Sequence, residues 1–266
     1  MCRPLEGVVP HLFTTRPWRL GSLAAADAAG WAEVASAMQV GPEHFVHAHQ
    51  VHGKSVYIRR AAEAATESAA ATRPEADILV TDDGKVAVAV QTADCVPILL
   101  ADRRTGVVAA AHAGWRGLAL GVPGAAVAAL THEFGSRPDD LVAAAGPSIS
   151  APRYEVGDEV RERFAASGAR PAELVRWFSR SERTAHWYFD GWRAVRDGLE
   201  KAGVPSGQIH IASLCTATYP DLFCSYRRDG SPAGRMAAAV RPRLTNQPGR
   251  PSPHPSPRSP IDPRAR

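Results

Sequence analysis

The chain has no run of about 18 apolar residues, so nothing in its sequence is long enough to span a bilayer as a helix. Its opening residues, Met1-Cys2-Arg3-Pro4-Leu5-Glu6, lack the charged-then-apolar order of a secretory signal, and the expectation is a cytoplasmic protein. There is no GxGxxG and no Walker A pattern, which removes the usual phosphate loops of nicotinamide, flavin and ATP sites. The four cysteines (Cys2, Cys95, Cys215 and Cys224) contain no CxxC pair, and a cytosolic chain keeps such thiols reduced. Net basic charge is confined to the C-terminus. From Arg243 onward five arginines stand against Asp262 alone, an excess equal to the formal +4 of the whole chain. The rest is neutral and offers no electrostatic footprint for a nucleic acid, despite a pI of about 9.1.

What is present is ordinary globular material: 266 residues, 45% hydrophobic and 22% charged. Residues 1–244 read as one domain. Residues 245–266, rich in Pro, Ser and Arg, bury too little to offset their ordering entropy and read as a disordered tail. Residues 61–73 read either as a helix or as a mobile insertion.

Short Val- and Ile-rich runs at 76–81, 86–91, 96–101 and 107–111 predict strands. Asp82-Asp83-Gly84 and the turn residues 102–106 predict two hairpins in an antiparallel meander. Helices are predicted over Val122–Phe134, over a segment in which Val156, Val160 and Phe164 recur every fourth residue, and from an N-cap at Asp190 to Gly203. Residues 141–145 and 208–212 read as further strands. The fold class is α+β: a layered sandwich of mixed or antiparallel sheet with flanking helices.

The second hairpin carries chemistry. With its turn centred between Arg103 and Arg104, Cys95 faces His112 on one side of the ladder, with Cβ atoms about 5 Å apart. That separation suits a shared metal ion. A third ligand must come from elsewhere, and His47, His49 and His52 are all candidates by spacing. Two imidazoles and a thiolate leave one tetrahedral position open, the pattern of a catalytic zinc that acidifies water. Against this stands the commoner fate of a Cys and a His on apolar strands, which is plain burial.

The residues around these positions narrow the choice. Gln50-Val51-His52-Gly53, Ala76-Asp77-Ile78-Leu79-Val80-Thr81, Gln91-Thr92-Ala93-Asp94-Cys95-Val96-Pro97 and Ala111-His112-Ala113-Gly114-Trp115-Arg116-Gly117 closely resemble the signature of the YfiH-like family. Gly146-Pro147-Ser148-Ile149, Tyr154-Glu155-Val156-Gly157, Cys215-Thr216 and Ser225-Tyr226-Arg227-Arg228-Asp229-Gly230 follow in the same order. The family was long labelled multicopper polyphenol oxidase (laccase-domain) and is now described as purine nucleoside phosphorylase. The resemblance implies His52, Cys95 and His112 as metal ligands and a compact layered α+β sandwich. It also implies phosphorolysis of adenosine, inosine and methylthioadenosine, with adenosine deamination. Zinc is the expected ion, copper the alternative; the expected partners are a purine nucleoside and phosphate, with no nucleic acid and no membrane.

Within that reading, Arg116 and Arg227 or Arg228 are the cations expected to hold phosphate, and Gln50 is expected to orient a ligand histidine or meet the substrate. Asp94 is expected to cap a turn, with proton transfer as its other role. The chain departs from the family pattern at Arg16-Pro17-Trp18-Arg19-Leu20-Gly21-Ser22, at Arg153 and at Ala233, which bears on substrate preference.

Three rival readings follow from the same residues. Multicopper chemistry needs about ten histidines in several HxH pairs, whereas this chain has ten in total and one such pair, His47-Ala48-His49. Cys95 with His112 as base would instead make a thiol hydrolase, an amidase suited to peptidoglycan precursor editing. A non-catalytic metal-stabilised binding protein would need His47 or His49 to close the coordination sphere.

Overall fold

A computed structural model describes residues 2–22, 27–63 and 73–243. The stretches 64–72 and 244–266 lie outside the described residues, including most of the segment read as helix or insertion and all of the predicted disordered tail.

Strands β1 (His11–Phe13), β2 (Phe45–His47), β5 (Ala87–Thr92) and β13 (Met236–Val240) form a sheet ordered β1-β13-β5-β2. A larger sheet contains β3 (Val56–Arg59), β4 (Ile78–Thr81), β6 (Val96–Asp102), β7 (Val108–Ala113), β8 (Leu141–Ala145) and β12 (Ile209–Ile211), ordered β12-β8-β6-β7-β4-β3. A small third sheet, β10-β11-β9, joins β9 (Glu155–Gly157), β10 (Phe178–Arg180) and β11 (His186–Phe189). The helices are α1 (Arg3–Glu6), α2 (Ala28–Ala37), α3 (Trp115–Ala119), α4 (Val122–Phe134), α5 (Asp158–Ala166), α6 (Pro171–Trp177), α7 (Gly191–Lys201) and α8 (Tyr226–Asp229).

The period-2 alternation of each central strand feeds two different cores. On β6, Ile98 and Leu100 point to the helices and meet Val122, Ala126 and Leu130 of α4 and Val195 and Leu199 of α7. Leu99 and Ala101 point the other way, against Val88 and Val90 of β5 and Ala238 and Val240 of β13. The outer face of the smaller sheet, through Ala87, Ala89, Ala237 and Ala239, is covered by Trp31, Val34 and Met38 of and just after α2. The result is the expected layered α+β sandwich, with helices outside two stacked sheets. Strands buried on both faces read as continuous apolar runs, which explains why the sequence shows little polar alternation here.

Local signals set several boundaries. Helix α4 starts after Gly121 (φ +84°) and ends at Gly135 (φ +65°), both left-handed, and spans the predicted residues. The Asp190 carboxylate accepts from the Arg193 N–H and caps α7. Val156 belongs to β9 instead of the predicted helix, because extended Gly157 is the N-cap and α5 begins at Asp158.

The meander is corrected. The strand before Asp82-Asp83-Gly84 joins the six-stranded sheet beside β7 and β3, whereas β5 joins the other sheet between β13 and β2. The turn therefore carries the chain from one layer to the next. Turn chemistry reports that the chain reverses, not whether the next strand pairs or stacks, and packed sheets lie only about 10 Å apart. Both β2–β5 and β3–β4 are parallel, so the sheets are mixed.

Leu99 is fully buried between the two sheets. Leu99→Ala should lower unfolding stability by about 2–5 kcal/mol, the cost of lost burial plus a cavity. Val175→Ala, at a side chain 75% exposed, should change it by less than about 0.5 kcal/mol. Urea denaturation of the two variants checks the contrast.

Candidate metal centre

The β6–β7 hairpin does not have the predicted register. Pro97 pairs with His112 and Val96 with Ala113, so the turn is centred one residue further on. Gly106 is the cause: it closes the loop with φ +77°, a conformation that favours glycine, while the Asp102 carboxylate accepts from the N–H groups of Arg104 and Thr105. Cys95 thus lies diagonally from His112. The offset is an even number of residues, so both side chains stay on the same face and still converge.

His52 completes the group. One ligand atom from each of His52, Cys95 and His112 lies within 4.8 Å of the others. His47 and His49 do not take part: His47 packs on Trp31 at a ring separation of 4.2 Å, and burial pushes its pKa down to about 4. Neither joins the cluster, so the closed sphere that would favour the non-catalytic reading has no support among the described residues.

Asp77 positions the two histidines. Its carboxylate accepts from His112 Nδ1 at 2.8 Å and from the backbone N–H groups of His52 (3.1 Å) and Gly53 (2.6 Å). A carboxylate only accepts, so Nδ1 of His112 carries the hydrogen and Nε2 is left to face the cavity. His52 adopts φ +60°, a left-handed backbone that its bond to Asp77 helps to hold. Burial acts to raise the Asp77 carboxyl, but His112 and the backbone donors outweigh it and hold the group below its usual range.

Cys95 follows Asp94, another left-handed residue (φ +87°). The Asp94 carboxylate is buried and accepts from the Thr216 hydroxyl and the Arg227 N–H, both at 2.6 Å. It pins the segment carrying α8 against the start of β6, a long-range tie in place of the expected cap of its own turn. Gly114 leaves the room the sulfur needs: a Cβ there would stand 2.9 Å from Cys95 Sγ and 3.4 Å from His52 Cδ2.

The donor set fits a metal ion. Ligands about 2.0–2.3 Å from a tetrahedral ion lie roughly 3.5 Å from one another, so the three need move little to share one. Burial raises the Cys95 thiol, but the imidazoles of His112 and His52 outweigh it and bring it down to about 6. Burial lowers His112, but the thiolate and Asp77 outweigh it and lift the imidazole to about 9. The opposed shifts favour the thiolate–imidazolium form of the pair over the neutral one.

The cluster opens on a cavity of about 720 Å³. Arg116 is exposed there and stacks on Trp115 at 4.4 Å. Arg227 lies 5.1 Å over the Tyr154 ring and donates to the Glu155 carbonyl. Arg228 does not reach the cavity: it forks onto Asp229 and donates to the carbonyls of Thr216 and Phe223. Gln50 lines the cavity, yet its amide accepts from Gln91 N–H and donates to Gln91 C=O, extending the edge of β5 instead of orienting a histidine. Sequence reasoning missed three residues. Asp77 and Tyr154 stood inside family motifs without a role, and Arg235 lies two residues beyond the departure at Ala233 and was given none.

A family described as multi-copper polyphenol oxidoreductase laccase matches residues 24–243. The chain belongs to this family, the YfiH family. A purine nucleoside phosphorylase of Deinococcus radiodurans is 36% identical to this member over 258 residues, covering 91% of the chain and 92% of the relative. One of Bacteroides thetaiotaomicron is 39% identical over 164 residues, or 62% of the chain and 60% of the relative. The crystal structure of the Bacillus licheniformis hypothetical protein YfiH superposes with a TM-score of 0.79 at 28% identity, over 88% of this chain and 93% of that one. Among the described residues of this YfiH-family chain, no helix is long and apolar enough to cross a membrane.

Two outcomes test the centre. Asp77→Asn should weaken metal binding by about 10- to 100-fold in chelator competition, because the His112 tautomer and ring orientation are no longer imposed. Metal uptake should also release protons. Between about pH 6 and about pH 9 Cys95 is already ionised and only His112 must lose its proton, so this pair should release roughly one per ion. Below about pH 6 the pair should release two, and affinity should climb with pH until about 9. Unbuffered titration with a pH indicator reads the count.

Proposed function

We propose that this chain is a zinc-dependent purine nucleoside phosphorylase acting on adenosine, inosine and methylthioadenosine, with adenosine deaminase activity. The observation that carries the reading is the His52–Cys95–His112 cluster opening onto a cavity that also presents Arg116 and Arg227. The names of the Deinococcus radiodurans and Bacteroides thetaiotaomicron relatives support it. The cavity volume falls in the usual small-ligand range of about 300–1,000 Å³.

In phosphorolysis a phosphate oxygen bonds to C1′ of the ribose, the C1′–N9 bond breaks, and its electron pair leaves with the purine, which takes up a proton. Guanidinium forks at Arg116 and Arg227 hold the phosphate and offset its charge as it approaches. The Tyr154 phenol lines the cavity without a hydrogen-bond acceptor among the described residues. Burial, and then the negative charge of Cys95, push its pKa up, so it stays protonated and can donate to the departing base or to the ribose. When bound, zinc supplies Lewis acidity, which suits attack of water at C6 of adenine with loss of ammonia. His52, Cys95 and His112 would hold it, with Asp77 keeping Nε2 of His112 available.

A second reading draws on one specific observation. Asp77, His112 and Cys95 also align as orienting acid, base and thiolate, the arrangement of a cysteine-type amidase such as one editing a peptidoglycan precursor. Copper-dependent phenol oxidation has no comparable support from the site, which gathers one cluster of three ligands among the described residues.

The deciding experiment incubates metal-defined protein with adenosine, with and without phosphate. Adenine and ribose 1-phosphate appearing only with phosphate are expected, together with inosine from deamination. Chelation should abolish both, and zinc should restore them. Turnover of an amide substrate that survives chelation, with no purine product, would favour the thiol reading instead.

A further inference from the structure

Arg116, Arg227 and Arg235 line the cavity without an ion pair to any described residue, and of the three only Arg235 is buried. Arg235 stands just before β13 and is 7% exposed. Its Nη1 donates to the carbonyls of Ala233 (2.9 Å) and Gly234 (3.1 Å), both in its own stretch of chain. Among the described residues no carboxylate makes an ion pair with it. The negative groups whose field reaches it include Cys95 and Asp94, and both Asp94 oxygens are already taken by Thr216 and Arg227. A guanidinium removed from water without a paired anion is among the costliest arrangements a fold can keep.

Comparison with Arg241 shows what is particular here. Arg241 is as buried, but it lies away from the cavity and its Nε is sealed off without a partner. The Nε and Nη2 donors of Arg235 are not sealed, and the residue lines the cavity beside Cys95 and Tyr226. Its remaining donors therefore keep some exposure in a residue that forms part of the cavity wall. Arg116 and Arg227 border the same space but are exposed at its rim. Burial gives Arg235 one fixed position, whereas exposed arginines must be ordered when they bind.

We propose that Arg235 anchors an oxyanion subsite in this cavity, one that takes a tetrahedral anion of the inorganic phosphate class, with Arg116 and Arg227 closing on it from the rim. Its role in turnover rests on the phosphorylase reading; the binding of the anion does not. Seated there, phosphate relieves the unpaired charge and is presented to the cavity from its buried side, which favours phosphate over water as the group that reaches C1′.

The test uses the full-length protein in chloride buffers of matched ionic strength, with inorganic phosphate as the probe. Phosphate should raise the thermal unfolding midpoint of the wild type in a concentration-dependent way and leave that of Arg235→Met unmoved. Without phosphate, Arg235→Met should unfold no earlier than wild type, since an apolar side chain replaces an unpaired charge. In turnover, Arg235→Met should raise KM for phosphate about 10-fold or more while KM for nucleoside stays within about threefold. An equal phosphate response in both proteins overturns the proposal, as does a lowered midpoint for the variant in phosphate-free buffer. Tungstate soaked into wild-type crystals gives an answer that needs no variant. Density within hydrogen-bond distance of Arg235 supports the subsite, and density only at Arg116 and Arg227, or none, removes it. Phosphate binding that depends on Arg235 without turnover of any purine nucleoside would leave the subsite standing and discard the phosphorylase reading alone.

Discussion

Asp77 is fully buried and accepts hydrogen bonds from two segments far apart in sequence, the His52-Gly53 backbone and the His112 ring. An uncompensated carboxylate there would be severely destabilising, so the fold holds together at this point only when those donors are in place. The same bonds select the His112 tautomer and hold His52 in a left-handed conformation. One interaction thus secures part of the fold and aims two of the three candidate ligands. Asp94 does a related task a few residues from the start of β6, tying α8 and Thr216 to the segment that carries Cys95.

The sandwich provides the rigid frame for these loops. Strands β6 and β7 are buried on both faces, between α4 and α7 on one side and the smaller sheet on the other. Such strands cannot slip by one residue without exchanging two well-packed cores. Cys95 and His112 lie at the end of this constrained pair, so their convergence is set by packing as much as by the turn.

Charge in and beside the cavity is divided by environment. Arg227 and Arg116 rest on aromatic faces at the rim, Arg228 is absorbed by Asp229 and two carbonyls, and Arg235 is buried with free donors. Four arginines of one side-chain chemistry therefore have three different capacities to meet an anion. Opposite them, the thiolate of Cys95 and the carboxylates of Asp77 and Asp94 are each bonded within the protein or directed at the ligand cluster.

The sequence by itself determined the layered α+β class, helix α4 to the residue, the Asp190 cap of α7 and the face shared by Cys95 and His112. All of these rest on local rules: helical periodicity, capping, left-handed glycines and the period of a strand. Spacing left His47, His49 and His52 open and only the family resemblance pointed to His52, while tertiary structure alone decided that Asp82-Asp83-Gly84 crosses between layers and that Gln50 and Arg228 are occupied elsewhere. It also decided the roles of Asp77 and Arg235. Each of these depends on which distant backbone or side-chain partner reaches a group first, and spacing along the chain carries no information about that.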